Sequence, residues 1–177
     1  MTPLVPIIGA VALASGLFFA FGENKGEILK RMTASTAASQ NKIDNSPSSK
    51  DDEIRLLWLD KRRAEIEAIL KQRWPNARMT SAYRNEQVNK AVGGSSTSRH
   101  RLGLGLDFGW GASDYLDALK HVRDNTKGLT SPRTVIAETT PPHLHMDYND
   151  PLNVLDKTPQ PTKWLWEKNN DDKFVTV

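Results

Sequence analysis

The chain has no cysteine in its 177 residues. That excludes disulfides and every thiolate-held metal, so any metal site here must be built from imidazole and carboxylate. It leaves the compartment open, because exported proteins need not carry disulfides. Excess charge of one sign is also lacking: 24 Lys and Arg stand against 21 Asp and Glu, a net +3, and the basic residues are scattered. No basic stripe or interleaved aromatic platform marks a nucleic-acid surface, so no nucleic-acid partner is expected. Mild attraction to an anionic polymer is compatible with the same charge. No internal repeat is present. A hydrophobic share of 38% still allows a modest core, and the length suits one domain with appendages.

What is present divides into four stretches. Residues 1–22 form a hydrophobic segment whose run from Leu4 to Phe21 carries no charge. As a helix it spans about 27 Å, close to a hydrocarbon core of about 30 Å. It is expected to be a membrane anchor or an uncleaved signal, and a membrane is therefore an expected partner. A cleavable signal peptide is the competing reading, although no Lys or Arg precedes the run. Residues 23–52 are polar and small (TASTAASQNKIDNSPSSKDD is the clearest part) and are expected to be a flexible linker, with a short helix around Glu27–Met32 as the alternative for its first part. Residues 53–150 look globular. A helix is expected from about Ser49 to Trp74, where Ile54, Leu57, Trp58, Ile66, Ile69 and Leu70 recur at near-helical spacing. Ser48, Ser49 or Asp51 would cap it, and Pro75 lies just beyond its end. A second helix is expected over Asp114–Asp124. Residues 151–177 form a tail whose Trp164, Leu165 and Trp166 are expected to pack back on the domain.

Chemistry concentrates in two segments. From Leu102 to Phe108 the chain alternates, with leucines and Phe108 on one face and Gly103, Gly105 and Asp107 on the other. Period two predicts a half-buried strand. Glycine weakens a strand, so its presence there predicts a close approach to the backbone beside Asp107. His100 sits just ahead, within a loop's reach of the Asp107 carboxylate. In the second segment His143, His145 and Asp147 share one face of an extended run while Leu144 and Met146 take the other. Three of the four histidines thus fall in these two segments. Two His and one carboxylate form a site with an open position for water, as catalytic zinc requires.

Together these residues resemble a known family. Ser98-x-His100-x-x-Gly103-x-Gly105-x-Asp107 resembles the signature of zinc D-alanyl-D-alanine carboxypeptidases and the related peptidoglycan L,D- and D,D-endopeptidases, whose fold is shared with the hedgehog domain. Ser81-Ala82-Tyr83-Arg84 and Asn89–Gly94 resemble two further motifs of that family. The resemblance covers about Ile54 to Asp147. It implies an α+β fold, a hedgehog/DD-peptidase-like antiparallel sheet with flanking helices, here preceded by the N-terminal hydrophobic helix. It implies Zn2+ as cofactor, held by His100, Asp107 and His145, with Arg84 and Ser98 as substrate-binding residues. Many members carry their catalytic Glu three residues before the last histidine, where this chain has Pro142. Branches that place the Glu at the end of the preceding strand point instead to Glu138 as catalytic base, with His143 as a second catalytic residue. The implied activity is zinc-dependent hydrolysis of peptide bonds in bacterial peptidoglycan. The alternative is a non-catalytic zinc-bearing module that binds wall or serves structure. The implied setting is a membrane-anchored protein facing the cell wall, or a virion-associated one with partners in a virion or lysis complex.

Overall fold

Alternation along the strands decides which side of the sheet is core and which carries chemistry. The computed structural model describes residues 23–111, 115–126, 129–153, 162–167 and 174–177. Six strands join in one sheet: β1 (Arg78–Ser81), β2 (Gly105–Gly109), β3 (Thr134–Thr139), β4 (Pro142–Asp147), β5 (Lys163–Glu167) and β6 (Phe174–Thr176), in the order β1-β2-β4-β3-β5-β6. Leu106 and Phe108 of β2, Val135 and Ala137 of β3, and Leu144 and Met146 of β4 are buried on one face. Because side chains alternate, Asp107, Glu138, His143 and His145 emerge together on the other. The fold is α+β, as expected. Its sheet is mixed rather than purely antiparallel, because β5 runs parallel to β3.

Two helices cover the apolar face, α3 (Lys50–Lys71) and α5 (Leu116–Asn125). The long helix starts where expected, with the Ser49 hydroxyl accepting from the Asp52 N–H at 3.1 Å and three acidic residues in its first turn. Such a cap contributes about 0.5–2 kcal/mol. Leu56, Leu59, Ile66, Ile69 and Leu70 are buried along its length. Burial of side chains this size stabilises by about 1.5–3 kcal/mol each. From α5, Ala118, Leu119 and Val122 enter the same core. The expected start of that helix at Asp114 lies outside the described residues.

Three expectations change. The stretch 23–52, expected as flexible linker, instead forms α1 (Lys25–Met32) and α2 (Thr36–Asn41), and then the first turn of α3. Its few apolar residues are the reason: Met32, Ile28 and Ala38 are buried, the first completely, and α1 packs against α3. Asn45 then ties this segment to the domain through three main-chain hydrogen bonds, to Thr33, Tyr83 and Asn85. The strand expected over Leu102–Phe108 begins only at Gly105. His100 and Leu102 belong to a 3-10 turn (Arg99–Leu102), Leu102 is exposed, and Gly103 adopts a φ of 66° that ends the turn. Finally, the tail is more than packing: β5 and β6 extend the sheet, and Trp164 and Trp166 pack against the core. Among the described residues no helix is long and apolar enough to cross a membrane. The hydrophobic run Leu4–Phe21 lies outside them.

Candidate metal centre

The register of the sheet builds the site. β2 and β4 pair so that Asp107 lies opposite His145, and β3 and β4 pair so that Glu138 lies opposite His143. The 3-10 turn brings in the third element, His100, whose ring packs against the start of β2. A Cβ on Gly105 would stand 3.0 Å from the Cγ and Cδ2 of that ring. The close approach expected at this glycine is therefore the histidine itself.

The geometry of the three side chains is tight. His100 Nε2 is 3.1 Å and His145 Nδ1 2.7 Å from Asp107 Oδ1, and the two nitrogens are 3.3 Å apart. His100 is 2% exposed and Asp107 5%, so the cluster sits in a poorly hydrated floor. The partners on the far side of each ring fix the tautomers. His100 Nδ1 faces the Ala82 carbonyl and must donate to it, which leaves Nε2 as a lone pair. His145 Nε2 is 3.0 Å from Asp147 Oδ1 and donates there, so the Nδ1 position facing Asp107 is the one that can take an ion in place of its proton. Two ring nitrogens and a carboxylate oxygen thus converge, all within 4.8 Å of one another. Ligands on a tetrahedral ion with bonds of about 2.0–2.2 Å stand about 3.4 Å apart. The donor set and its spacing fit a zinc ion.

Electrostatics agree with a cation at this point. Burial would raise the Asp107 carboxyl, but His100 and His145 outweigh it and hold the group well below the usual carboxylate range. Burial would likewise lower His145, yet its bonds to Asp107 and Asp147 push it up to about 10. In the metal-free chain a proton answers the negative charge that an ion would otherwise neutralise.

Around this floor opens a cleft of about 780 Å³. Glu138 and His143 line it, with His143 Nε2 3.5 Å from Glu138 Oε2 and 3.6 Å from Asp107 Oδ1. The His143 Nδ1–H donates to the Pro141 carbonyl at 2.7 Å, so its Nε2 faces the cleft as an acceptor. Glu138, His143 and His145 also form a second group with metal-ligand spacing. Ser98 lines the cleft but makes no side-chain cap to the 3-10 turn that follows it. Arg84, expected to bind substrate, lines the cleft and donates to Asp107 Oδ2 and Ser81 Oγ. Sequence reasoning missed three contributors. The Ala82 carbonyl and the Asp147 acceptor role depend on backbone paths that no motif specifies. Ser35, Thr36 and Ala37, which form one wall of the cleft, come from the supposed linker.

No curated protein and no solved structure gives a significant match to this chain. The family model of Peptidase M15 matches residues 28–137, more than half of the chain, and its span includes the end of α1, from Ile28 to Met32, as well as His100 and Asp107. M15 peptidases are zinc-dependent. On that match, and with a buried donor set suited to zinc beneath an open cleft, the chain belongs to the Peptidase M15 family of zinc peptidases.

Proposed function

We propose that this protein hydrolyses peptide bonds of bacterial peptidoglycan, using zinc held by His100, Asp107 and His145. The observation that carries this reading is the convergence of two ring nitrogens and one carboxylate oxygen on the floor of the cleft. Zinc bound there supplies Lewis acidity, polarising a scissile carbonyl and activating water near neutral pH.

The chain's own groups do the rest. Glu138, on the strand beside His143, is the one glutamate among the described residues lining the cleft. It takes the proton from the attacking water and passes it to the leaving amine. His143 Nε2, held toward the cleft by the bond from Nδ1 to Pro141, lies beside both carboxylates and serves as a second proton carrier to the leaving group. Ser98 on the cleft wall contributes to substrate binding. The family assignment and the anion-tolerant charge balance favour a wall peptide as substrate. The hydrophobic run at residues 4–21 favours a membrane-held protein at the cell envelope, acting in wall remodelling or in a phage lysis or entry apparatus.

The test is release of new amino groups from purified peptidoglycan by the chain with zinc, with chelator, and as Glu138→Gln. Metal-dependent release that the variant loses while keeping its zinc supports the reading. Zinc uptake without release from any wall substrate sinks it. That outcome favours the non-catalytic module, which Pro142 motivates at the position where many relatives carry a glutamate.

A further inference from the structure

Arg84 makes contacts that an anchor for substrate does not need. Its Nε donates to Ser81 Oγ at 2.9 Å, and its Nη2 donates to Asp107 Oδ2. The side-on pair of guanidinium donors is therefore occupied within the protein. Its main-chain N–H donates to the His100 carbonyl at 3.1 Å, while the carbonyl two residues earlier, on Ala82, receives the His100 Nδ1–H. Asn45 accepts from the Asn85 N–H and donates to the Tyr83 carbonyl, fixing the backbone on both sides of Arg84. The side chain of Arg84 is 18% exposed and that of Asp107 7%, so little water screens the pair.

We infer that Arg84 is a positioning residue for the metal, holding Asp107 through a guanidinium braced on Ser81, rather than an anchor for a substrate carboxylate. The inference rests on the zinc reading above and deepens it. With Oδ2 pinned by a cation, only Oδ1 turns toward His100 and His145, and it meets the ion in one fixed orientation. Lysine lacks the fork that binds Ser81 and Asp107 together. Segment Ser81–Arg84 thus braces two donors at once: Ala82 sets the His100 tautomer, and Arg84 sets the Asp107 rotamer.

The experiment measures zinc affinity of the full-length chain by competition with a chromophoric chelator, and the visible spectrum of its Co2+ form. Loss of an outer partner of a ligand weakens metal binding by about 10–100-fold. Arg84→Gln is expected to raise the zinc Kd by that factor and shift the Co2+ bands. Arg84→Lys should fall between, and Ser81→Ala, which keeps every charge, should weaken binding in the same direction but less. If Arg84→Gln does not fold, Ser81→Ala and Arg84→Lys carry the test. Zinc Kd values within twofold of the parent in these variants, with KM raised for peptides bearing a free carboxylate, would overturn the inference and restore the anchor. A parent chain that takes up no zinc overturns the zinc reading itself, a result that chelator competition separates from failure of Arg84 alone.

Discussion

Asn45→Ala removes a side chain that is 7% exposed and joins three main-chain groups. Its Nδ2 donates to the Thr33 carbonyl at 2.8 Å and the Tyr83 carbonyl at 2.9 Å, and its Oδ1 accepts from the Asn85 N–H at 2.9 Å. Each such bond is worth about 0.5–1.5 kcal/mol net, and more where the orphaned group stays buried. Partial entry of water at Thr33 offsets some of this, so the expected loss is about 2–4 kcal/mol. With a urea m-value of about 1–3 kcal/mol/M, the unfolding midpoint should fall by roughly 1–2 M. Asn45→Asp has the same shape but turns a double donor into an acceptor facing two carbonyls. At neutral pH it should be at least as damaging. Urea unfolding followed by Trp fluorescence and far-ultraviolet dichroism reads both variants. A midpoint shift under about 0.3 M in both would refute the claim that residues 33–46 are an integral wall, since surface changes lie within about 0.5 kcal/mol.

Two pH effects follow from the paired groups. His145 is pushed up to about 10 in the metal-free chain, so zinc must displace its proton throughout the neutral range. Between pH 6 and 9 the zinc Kd should fall about tenfold per unit as pH rises, with about one proton released per ion; calorimetry in buffers of different ionisation enthalpy measures this, and a pH-independent Kd refutes it. Asp150 is the second case: burial raises its carboxyl, but the Arg55 guanidinium, at 2.9–3.1 Å, outweighs it and holds the group below its ordinary value. A depressed folded-state pKa gives stability that is present above about pH 4 and lost as pH falls through the lower folded value. Asp150→Asn should therefore be less stable than the parent at pH 7, by about 1 kcal/mol for a partly exposed pair, and that gap should shrink as the pH is taken below 4; a constant gap in urea unfolding at both pH values counts against the ion pair.

The parts of the fold legible in the sequence are those where period two or period 3.6 is strong. In β4, imidazole and carboxylate alternate with Leu144 and Met146, and the register across β2 and β3 then follows from which face is apolar. In α3 the Ser49 cap and Pro75 mark the ends, but the apolar spacing locates the core face only in the second half. There Ile66, Ile69 and Leu70 are buried, whereas Leu56 and Leu59 take the buried positions expected for Ile54, Leu57 and Trp58. The helix α1 carries only a short amphipathic pattern, with Ile28, Leu29 and Met32 among charged residues, and α2 is small and polar. One face of each is secured by few side chains, Met32 and Ile28 in α1 and Ala38 in α2. Their stability is tertiary, supplied by α3 and by Asn45, and local patterning does not encode it. Gly103 and Gly105 look equivalent in the alternating run, yet one turns the chain at positive φ while the other makes room for a ring. Arg84 reads from its motif as a ligand-facing cation. Its direction depends on Asp107 and Ser81, which only the folded backbone brings within reach.

The cap on α1 has a consequence for working distance. Asn24 accepts the Gly26 N–H, and Glu23 is paired with Arg31, so the folded body begins at the residue next to the hydrophobic segment. A disordered stretch of some 28 residues would have given a tether on the order of 30 Å. The chain has no such leash between Glu23 and the core. If residues 4–21 are seated in a bilayer, the cleft is confined to a shell about one domain diameter thick above the lipid. It would then meet only those wall strands that come down to the membrane, and its throughput would follow strand delivery rather than its own search.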